Sequence, residues 1–369
     1  PMMEVIKRVE MAPSEVEQVF WGVGDTSQCK DVYTPVAARQ TLLKAGLPPE
    51  TVSISLDKAC VSAMSAIQLG SMAMRLGEID VAIGGGATCF SREPQIIRGL
   101  RFSGFRMGDV KMEDPLFSLG YKDFNPVSVD TDNVAYEYGI DRDEQDQWAL
   151  RSHAHYGEAW NAGKFKDEII PLEIRLPKQP PFILDIDEQY RPDISMERLS
   201  KLKPIHGCRS ITAGNAPGLN DGATAILFMT EEKAHNLNLD PLASIVAMTS
   251  IAMDPTRMPE APGLAMRKVL KMANLTLEDI DFFEINEAFA AVPLISLEVL
   301  CEGDKQKAQG LHRKTNVNGS AIAIGHPNTS SGARIVMNLM YELRRKGGGF
   351  AMGAICGGLA QGDACIIKV

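Results

Sequence analysis

Two cysteines, a histidine and an asparagine stand in sequence settings that suit covalent chemistry. Cys60 falls where the β-branched run V-S-I-S-L hands over to a proline-free stretch rich in Ala, Ser and Met, which reads as a packed helix. A thiol at the first turn of a helix meets unpaired N–H groups and the positive end of the dipole, and both favour the nucleophilic thiolate. A buried structural cysteine fits that stretch equally well. Cys356 ends the run F-A-M-G-A-I-C and precedes a Gly-Gly turn whose N–H groups can face an anion. His326, between Gly325 and Pro327, is projected by a tight turn ahead of a helix. Asn286, in E-I-N-E-A-F, lies where a strand passes into a helix, a place for orienting a water or a carbonyl and equally for an ordinary cap.

The elements around these residues read as an α/β protein. With 369 residues, 45% hydrophobic and 23% charged, the chain has the composition of a globular enzyme with more than one core. A net charge of −9 argues against a nucleic-acid surface and against an anionic membrane. Seven scattered cysteines without a C-x-x-C pair point to reduced thiols, and no cluster has metal-ligand spacing. No apolar run reaches membrane-spanning length. The opening P-M-M-E-V-I-K-R-V-E reads as the tail of a helix rather than a signal peptide.

Apolar strands are expected at 16–22, 52–56 (buried) and 80–86, with a short helix at 36–45 and the Cys60 helix between the last two strands. From about residue 88 to 204 the chain is more charged and richer in proline and aromatics, as an inserted lid would be. There Asp141-x-x-Glu144 opens a helix with a capping box. The sheet pattern resumes at Ser210. A second copy follows, with strands at 243–251, 281–285 and 350–355, helices at 262–273, 288–300 and 331–347, and a small-residue strand-to-helix junction at 316–324. N-D-G-A-T-A-I-L-F and Q-G-D-A-C-I-I-K-V close the two halves alike, which suggests internal duplication.

Taken together, these stretches resemble the thiolases, the acyl-CoA C-acyltransferases, over nearly the whole chain. The resemblance is carried by D-K-A-C-V-S-A-M around Cys60, G-F-R-M-G at 104–108, R-D-E-Q-D at 142–146 and T-A-G-N-A-P-G-L-N-D-G-A at 212–223. N-E-A-F at 286–289, N-V-N-G-S-A-I-A-I-G-H-P and C-G-G-L-A-Q-G complete it. It implies a duplicated five-layered α-β-α-β-α fold with an inserted lid. The first half would be 1–90 with 205–240, the lid 91–204 and the second half 241–369. It also implies roles. Cys60 takes the acyl group, with His326 as its base, and Cys356 is the second acid/base at the α-carbon of acetyl-CoA. Asn286 holds a water that, with His326, stabilises the enolate. The N–H groups of Cys60 and Gly358 hold the acyl-enzyme oxyanion. Arg191, Ala213, Ala288 and Phe289 contact coenzyme A. Without Cys356 such an enzyme acylates Cys60 but does not condense. The thioester of coenzyme A is the substrate, with no other cofactor and no metal, and the partner is a second or further copy of the chain, as a homodimer or homotetramer. The small-residue helix after Cys60, with Met72 and Met74, suits a close subunit contact.

The match departs from the family at the substrate pocket. Pro126-Val127 replaces a His-Met pair, Pro217 a serine, Asn328-Thr329-Ser330 the usual I-G-A, and Gly357 an aliphatic residue. The chain also begins about where the family's opening helix ends. Three readings follow: an acetoacetyl-CoA-forming acetyltransferase, a degradative 3-ketoacyl-CoA thiolase of longer or branched substrates, and a non-catalytic acyl-CoA-binding scaffold. The compartment expected is the cytoplasm, or an organelle if an N-terminal address has been removed. The remaining cysteines, Cys29, Cys89, Cys208, Cys301 and Cys365, are expected to be buried packing residues.

Overall fold

A computed structural model describes residues 1–25, 28, 34–102, 104–116 and 123–369. The first half contains α1 (Met2–Lys7), β1 (Gln18–Gly22), α2 (Ala37–Ala45), β2 (Val52–Leu56), α3 (Ser62–Arg75) and β3 (Val81–Cys89). The inserted stretch carries α4 (Val127–Tyr138), α5 (Arg142–Asn161), the small hairpin β4 (Leu172–Ile174) and β5 (Phe182–Leu184), and α6 (Met196–Ser200). The strand β6 (Asp221–Met229) and the short helix α7 (Glu231–Asn236) follow. Then come β7 (Ser244–Ala252), α8 (Ala261–Ala273), β8 (Ile280–Ile285), α9 (Ala291–Leu300), α10 (Lys305–Leu311) and α11 (Ala321–Ile324). The chain closes with α12 (Ser331–Lys346), β9 (Phe350–Gly357) and β10 (Gln361–Lys368).

Two four-stranded sheets run in the orders β2-β1-β3-β6 and β7-β10-β9-β8. In the first, β2, β1 and β3 are parallel and β6 is antiparallel to β3. In the second, β8 and β9 are parallel and β10 is antiparallel to β9. The duplication therefore superimposes β1, β3 and β6 on β8, β9 and β10. The helix entering each copy of the third strand, α3 or α12, is buried between the two sheets. There Val61, Met64 and Ile67 meet Ala333, Ile335, Leu339 and Ile355 in one apolar cluster. Outside the first sheet lie α1 and α2, whose Ile6 and Leu42 pack on Val19 and Val81. Outside the second lie α8 and α9. The result is five layers, helix-sheet-helix-sheet-helix, with each sheet covered on both faces.

Most elements lie where the sequence puts them, and four places differ. The strand β2 is an edge rather than a buried strand, with Val52 58% and Ile54 43% exposed. The strand expected from Ser210 begins only at Asp221. Before it, the Asn215 side chain accepts from Thr212 N–H (2.8 Å) and donates to the Ser210 carbonyl (3.0 Å) and Asp146 (2.9 Å), so 204–220 is a loop closed by side-chain bonds. No strand forms at 316–324. There the Asn316 amide accepts from Ile285 N–H (2.8 Å) and donates to its carbonyl (2.9 Å), doing for β8 what a neighbouring strand backbone would do. Finally, the small residues of α3 are used inside the chain. Ala63 and Ala66 are fully buried, and a Cβ on Gly70 would collide with Phe228. Of the helix's methionines, Met72 is exposed.

The capping box at α5 is present, with Asp141 accepting from Glu144 N–H (2.9 Å) and Glu144 accepting from Asp141 N–H (3.1 Å). The helix it starts is fastened to the second half through Glu287. That buried carboxylate accepts from Trp148 Nε1 (2.8 Å), Ser152 Oγ (2.7 Å), Asn316 Nδ2 (2.9 Å) and Ile322 N–H (3.1 Å).

Candidate active site

Cys60 sits in a single 3-10 turn, Ala59–Val61, directly ahead of α3. The turn is held by local hydrogen bonds. Asp57 accepts from Ala59 N–H (2.8 Å), and Ser62 Oγ accepts from Lys58 N–H (2.8 Å) while donating to the Ala59 carbonyl (2.6 Å). Ala59 adopts φ +50°, a left-handed conformation that costs a residue with a Cβ. On the other side of the site, Leu359 (φ +54°) and Ala360 (φ +58°) form the turn after β9. Unfavourable backbone thus brackets both cysteines, a pattern found at functional sites.

The imidazole of His326 reaches Cys60, with Nε2 3.1 Å from Sγ. Its Nδ1 lies 2.7 Å from Ser331 Oγ, at the first residue of α12, and the backbone N–H of His326 donates to Asn220 Oδ1 at 3.0 Å. An imidazole that accepts the thiol proton on Nε2 carries its own proton on Nδ1, so Ser331 is the acceptor that fixes the tautomer. Gly325 has φ +101°, and a Cβ there would meet the Asn220 amide at 2.6 Å, so the turn needs glycine for both reasons. Asn286 leaves β8 with its N–H on the Ala354 carbonyl of β9 and turns Nδ2 to 3.4 Å from His326 Nε2. Its Oδ1 is buried and has no hydrogen-bond partner among the described residues.

Cys356, the next-to-last residue of β9, is fully buried. It lies close enough to Cys60 for its charge to raise the Cys60 pKa, and a Cβ on the adjoining Gly357 would meet Val61 and the Lys58 carbonyl. The strand end carrying Cys356 therefore lies against the turn carrying Cys60, which the imidazole and the amide reach from the other half. Burial pushes the Cys60 thiol well above the usual range, and Cys356 adds to this. Burial likewise holds Cys356 up at about 12. His326 is lowered to about 4, by burial first and then by Arg334. The resting pair is a neutral thiol hydrogen-bonded to a neutral imidazole. The thiolate read from the helix terminus is outweighed by the desolvation of a site sunk between two sheets.

The remaining sequence-derived residues are spread around this centre. Gly358 follows Cys356 at the strained turn. Ala288 and Phe289 pack against the same apolar core as Cys356 and Val127. Ala213 is exposed in the loop before β6. Arg191 lies in the lid, with Nη1 on the carbonyls of Glu188 (2.7 Å) and Tyr190 (3.2 Å). Cys208, Cys301 and Cys365 are buried, but Cys89 is half-buried, with Sγ 3.4 Å from Asp221 Oδ2, and so is not a simple packing residue. Cys29 lies outside the described residues. Sequence reasoning missed Ser331 and Asn220, whose only signals were a hydroxyl five residues after His326 and an Asn before an Asp-Gly. Among the described residues no group of three or more His, Cys, Asp or Glu is placed to hold a metal ion.

The chain matches the family model for the thiolase N-terminal domain over residues 2–232 and that for the thiolase C-terminal domain over residues 239–369. It belongs to the thiolase family. This thiolase is 37% identical over 368 residues to the acetyl-CoA acetyltransferase of Chromobacterium violaceum, covering 99% of this chain and 91% of that protein. It is 39% identical over 335 residues to the probable acetyl-CoA acetyltransferase of Escherichia coli, covering 90% and 83%. The crystal structure of the Bacillus anthracis acetyl-CoA acetyltransferase matches with TM-score 0.90 at 35% identity, over 100% of this chain and 90% of that one. Human mitochondrial 3-ketoacyl-CoA thiolase in complex with CoA matches this thiolase with TM-score 0.87 at 34% identity, over 98% and 89%. The duplicated α/β architecture is thus that of the family.

Proposed function

We propose that this thiolase transfers acyl groups between coenzyme A thioesters through an acyl-enzyme on Cys60, with acetoacetyl-CoA as its ketoacyl thioester. The observation that carries this reading is the 3.1 Å contact of Cys60 Sγ with His326 Nε2, with Asn286 Nδ2 3.4 Å from the same imidazole nitrogen. In the cleavage direction, the Cys60 thiol passes its proton to His326 Nε2 as sulfur attacks the keto carbon. The alkoxide is held by the N–H groups of Cys60 and Gly358. The C2–C3 bond then breaks, and its electron pair leaves as the enolate of acetyl-CoA. Asn286, with His326, stabilises that enolate, and the Cys356 thiol protonates its α-carbon. His326 returns its proton to the Cys356 thiolate so formed and, neutral again, takes the proton of an incoming coenzyme A thiol to leave a thiolate. That thiolate attacks the acyl-enzyme, and Cys60 leaves, recovering its proton from His326. Condensation is the same sequence reversed. No cofactor beyond the thioester substrate enters the scheme, and Ala213, Ala288, Phe289 and Arg191 are assigned to the coenzyme A path.

Thiolysis of a series of 3-ketoacyl-CoAs, compared with exchange of isotope-labelled coenzyme A into acetyl-CoA, tests the reading. Cys60→Ala should abolish both reactions. Cys356→Ala should keep the exchange and lose thiolysis by at least about a hundredfold, the range of a general acid–base contribution. A native chain inert across all chain lengths would refute acyl transfer and leave the scaffold reading. The degradative reading is favoured by one feature: Val127, shorter than the methionine it replaces, packs on the core that holds Cys356 and Phe289. Rates that rise with acyl length would select it. We also assign the chain to a homodimer or homotetramer. The edge strand β2 supports this, since it exposes Val52 and Ile54 beside a backbone edge that pairs with no further strand among the described residues.

A further inference from the structure

Two residues before the nucleophile, the chain places a lysine whose side chain leaves its own half of the molecule. Lys58 Nζ donates to Asp363 Oδ1 (2.8 Å), Ser65 Oγ (2.9 Å) and Ser250 Oγ (3.1 Å), which accounts for all three of its protons. Ser65 passes its own proton to Asp363 Oδ2, and Ser250 donates to Gln68 Oε1 at 3.0 Å. Lys58, Ser65 and Gln68 belong to the first half, Ser250 and Asp363 to the second. The Lys58 ammonium and the hydroxyls of Ser65 and Ser250 all have acceptors in this set, so its bonds reinforce one another.

The position of Asp363 gives the network its meaning. It is fully buried on β10, next to Gly362, the residue paired with Cys356 across the β9–β10 ladder. Lys58 is separated from Cys60 only by Ala59, held at φ +50°. The Lys58 carbonyl in turn abuts Gly357, where a Cβ would come within 3.0 Å of it. A buried ion pair is weak evidence of stability, because desolvation offsets its attraction. Its value here is geometric. The pair joins the turn carrying one sulfur to the strand beside the other. His326 is anchored separately, through Ser331 and Asn220.

We infer that Lys58 and Asp363 are positioning residues that set the register of Cys60 against Cys356, and hence the carbon–carbon step rather than acyl loading. This rests on the acyl-transfer reading above. Loading needs Cys60 and His326, whereas cleavage and condensation also need the Cys356 thiol placed over the α-carbon, and a displacement of about 1 Å there costs on the order of a hundredfold.

The test compares the two reactions in the full-length protein. Asp363→Asn and Lys58→Met should each lower acetoacetyl-CoA thiolysis by about thirtyfold or more, while exchange of labelled coenzyme A into acetyl-CoA stays within about threefold of native. The double variant Lys58→Met with Asp363→Leu removes both charges together and leaves neither unpaired, so it folds where a single variant fails, and it should show the same split. Equal loss of both reactions in a folded variant would overturn the inference, because the pair would then be merely structural. Full thiolysis in the double variant would overturn it as well. A native chain inert in both assays would refute the acyl-transfer reading itself, and this inference with it.

Discussion

At the scale of single residues, on the acyl-transfer reading proposed above, the site keeps its charges unformed until substrate arrives. Burial raises the Cys60 thiol and lowers His326 to about 4, so the proton moves as sulfur attacks rather than beforehand. The base is competent while its imidazole is neutral. The acid limb of kcat/KM for acylation, followed by coenzyme A exchange, is therefore expected near pH 4 rather than 6.5; a midpoint at 6.5 would mean that His326 is not buried in the free enzyme. Ser331 has a separate role as acceptor of the Nδ1 proton at 2.7 Å. Ser331→Ala should slow Cys60 acylation by about tenfold, the worth of one hydrogen bond that aligns the base. Because Ser331 acts through His326, which both reactions use, exchange and thiolysis should fall together, unlike in the Lys58 variants.

At the scale of elements, the site depends on how closely two backbones approach. The helices α3 and α12 carry Cys60 and Ser331 at their starts, and a Cβ on Gly332 would meet the Met64 backbone nitrogen at 2.6 Å. A backbone atom cannot swing aside as a side chain can. Gly332→Ala should thus destabilise the fold by about 1–3 kcal/mol, the usual cost of overpacking, in a denaturant titration. Activity should fall further than stability explains, since the two helix starts are forced apart. The same logic applies at the sheet end, where a Cβ on Gly22 would lie 2.7 Å from the Thr329 carbonyl. The glycines at the strand ends make room for the His326 loop, whose Thr329 hydroxyl bonds the Ala87 carbonyl at 2.7 Å.

At the scale of the whole molecule, four buried titratable groups give stability an unusual pH profile. Burial, aided by Arg191, lowers His153 to about 4, as it does His326. Their contribution is present above 6.5 and lost as pH falls through 4. Burial raises Glu168 from 4.5 to about 7 and Asp187 from 3.8 to about 6. Theirs is present below the ordinary carboxylate values and lost as pH rises through 6 and 7. The two trends nearly cancel between these limits, so the melting temperature should stay close to flat from about pH 4 to pH 7. Glu168→Gln removes one of the terms that fall with pH, so the melting temperature should then rise from about pH 4.5 to 6.5 in scanning calorimetry; an unchanged flat profile would show that Glu168 does not contribute.

Local chemistry alone was enough for much of this protein. The strands and helices of both halves follow from apolar runs broken by glycine. The Asp141 capping box follows from its spacing, and the four reactive residues from their glycine and proline settings. These features depend on neighbours in the chain, and sequence records those directly. Tertiary structure decided the rest. Whether β2 is buried depends on what covers it, and whether 316–324 needs a strand depends on Asn316 finding Ile285. The charge state of Cys60 is set by desolvation that no helix terminus reveals. Lys58 and Asp363 are 305 residues apart in the chain. Nothing local relates them; only the packing of one half against the other brings a lysine beside one cysteine to a carboxylate beside the other.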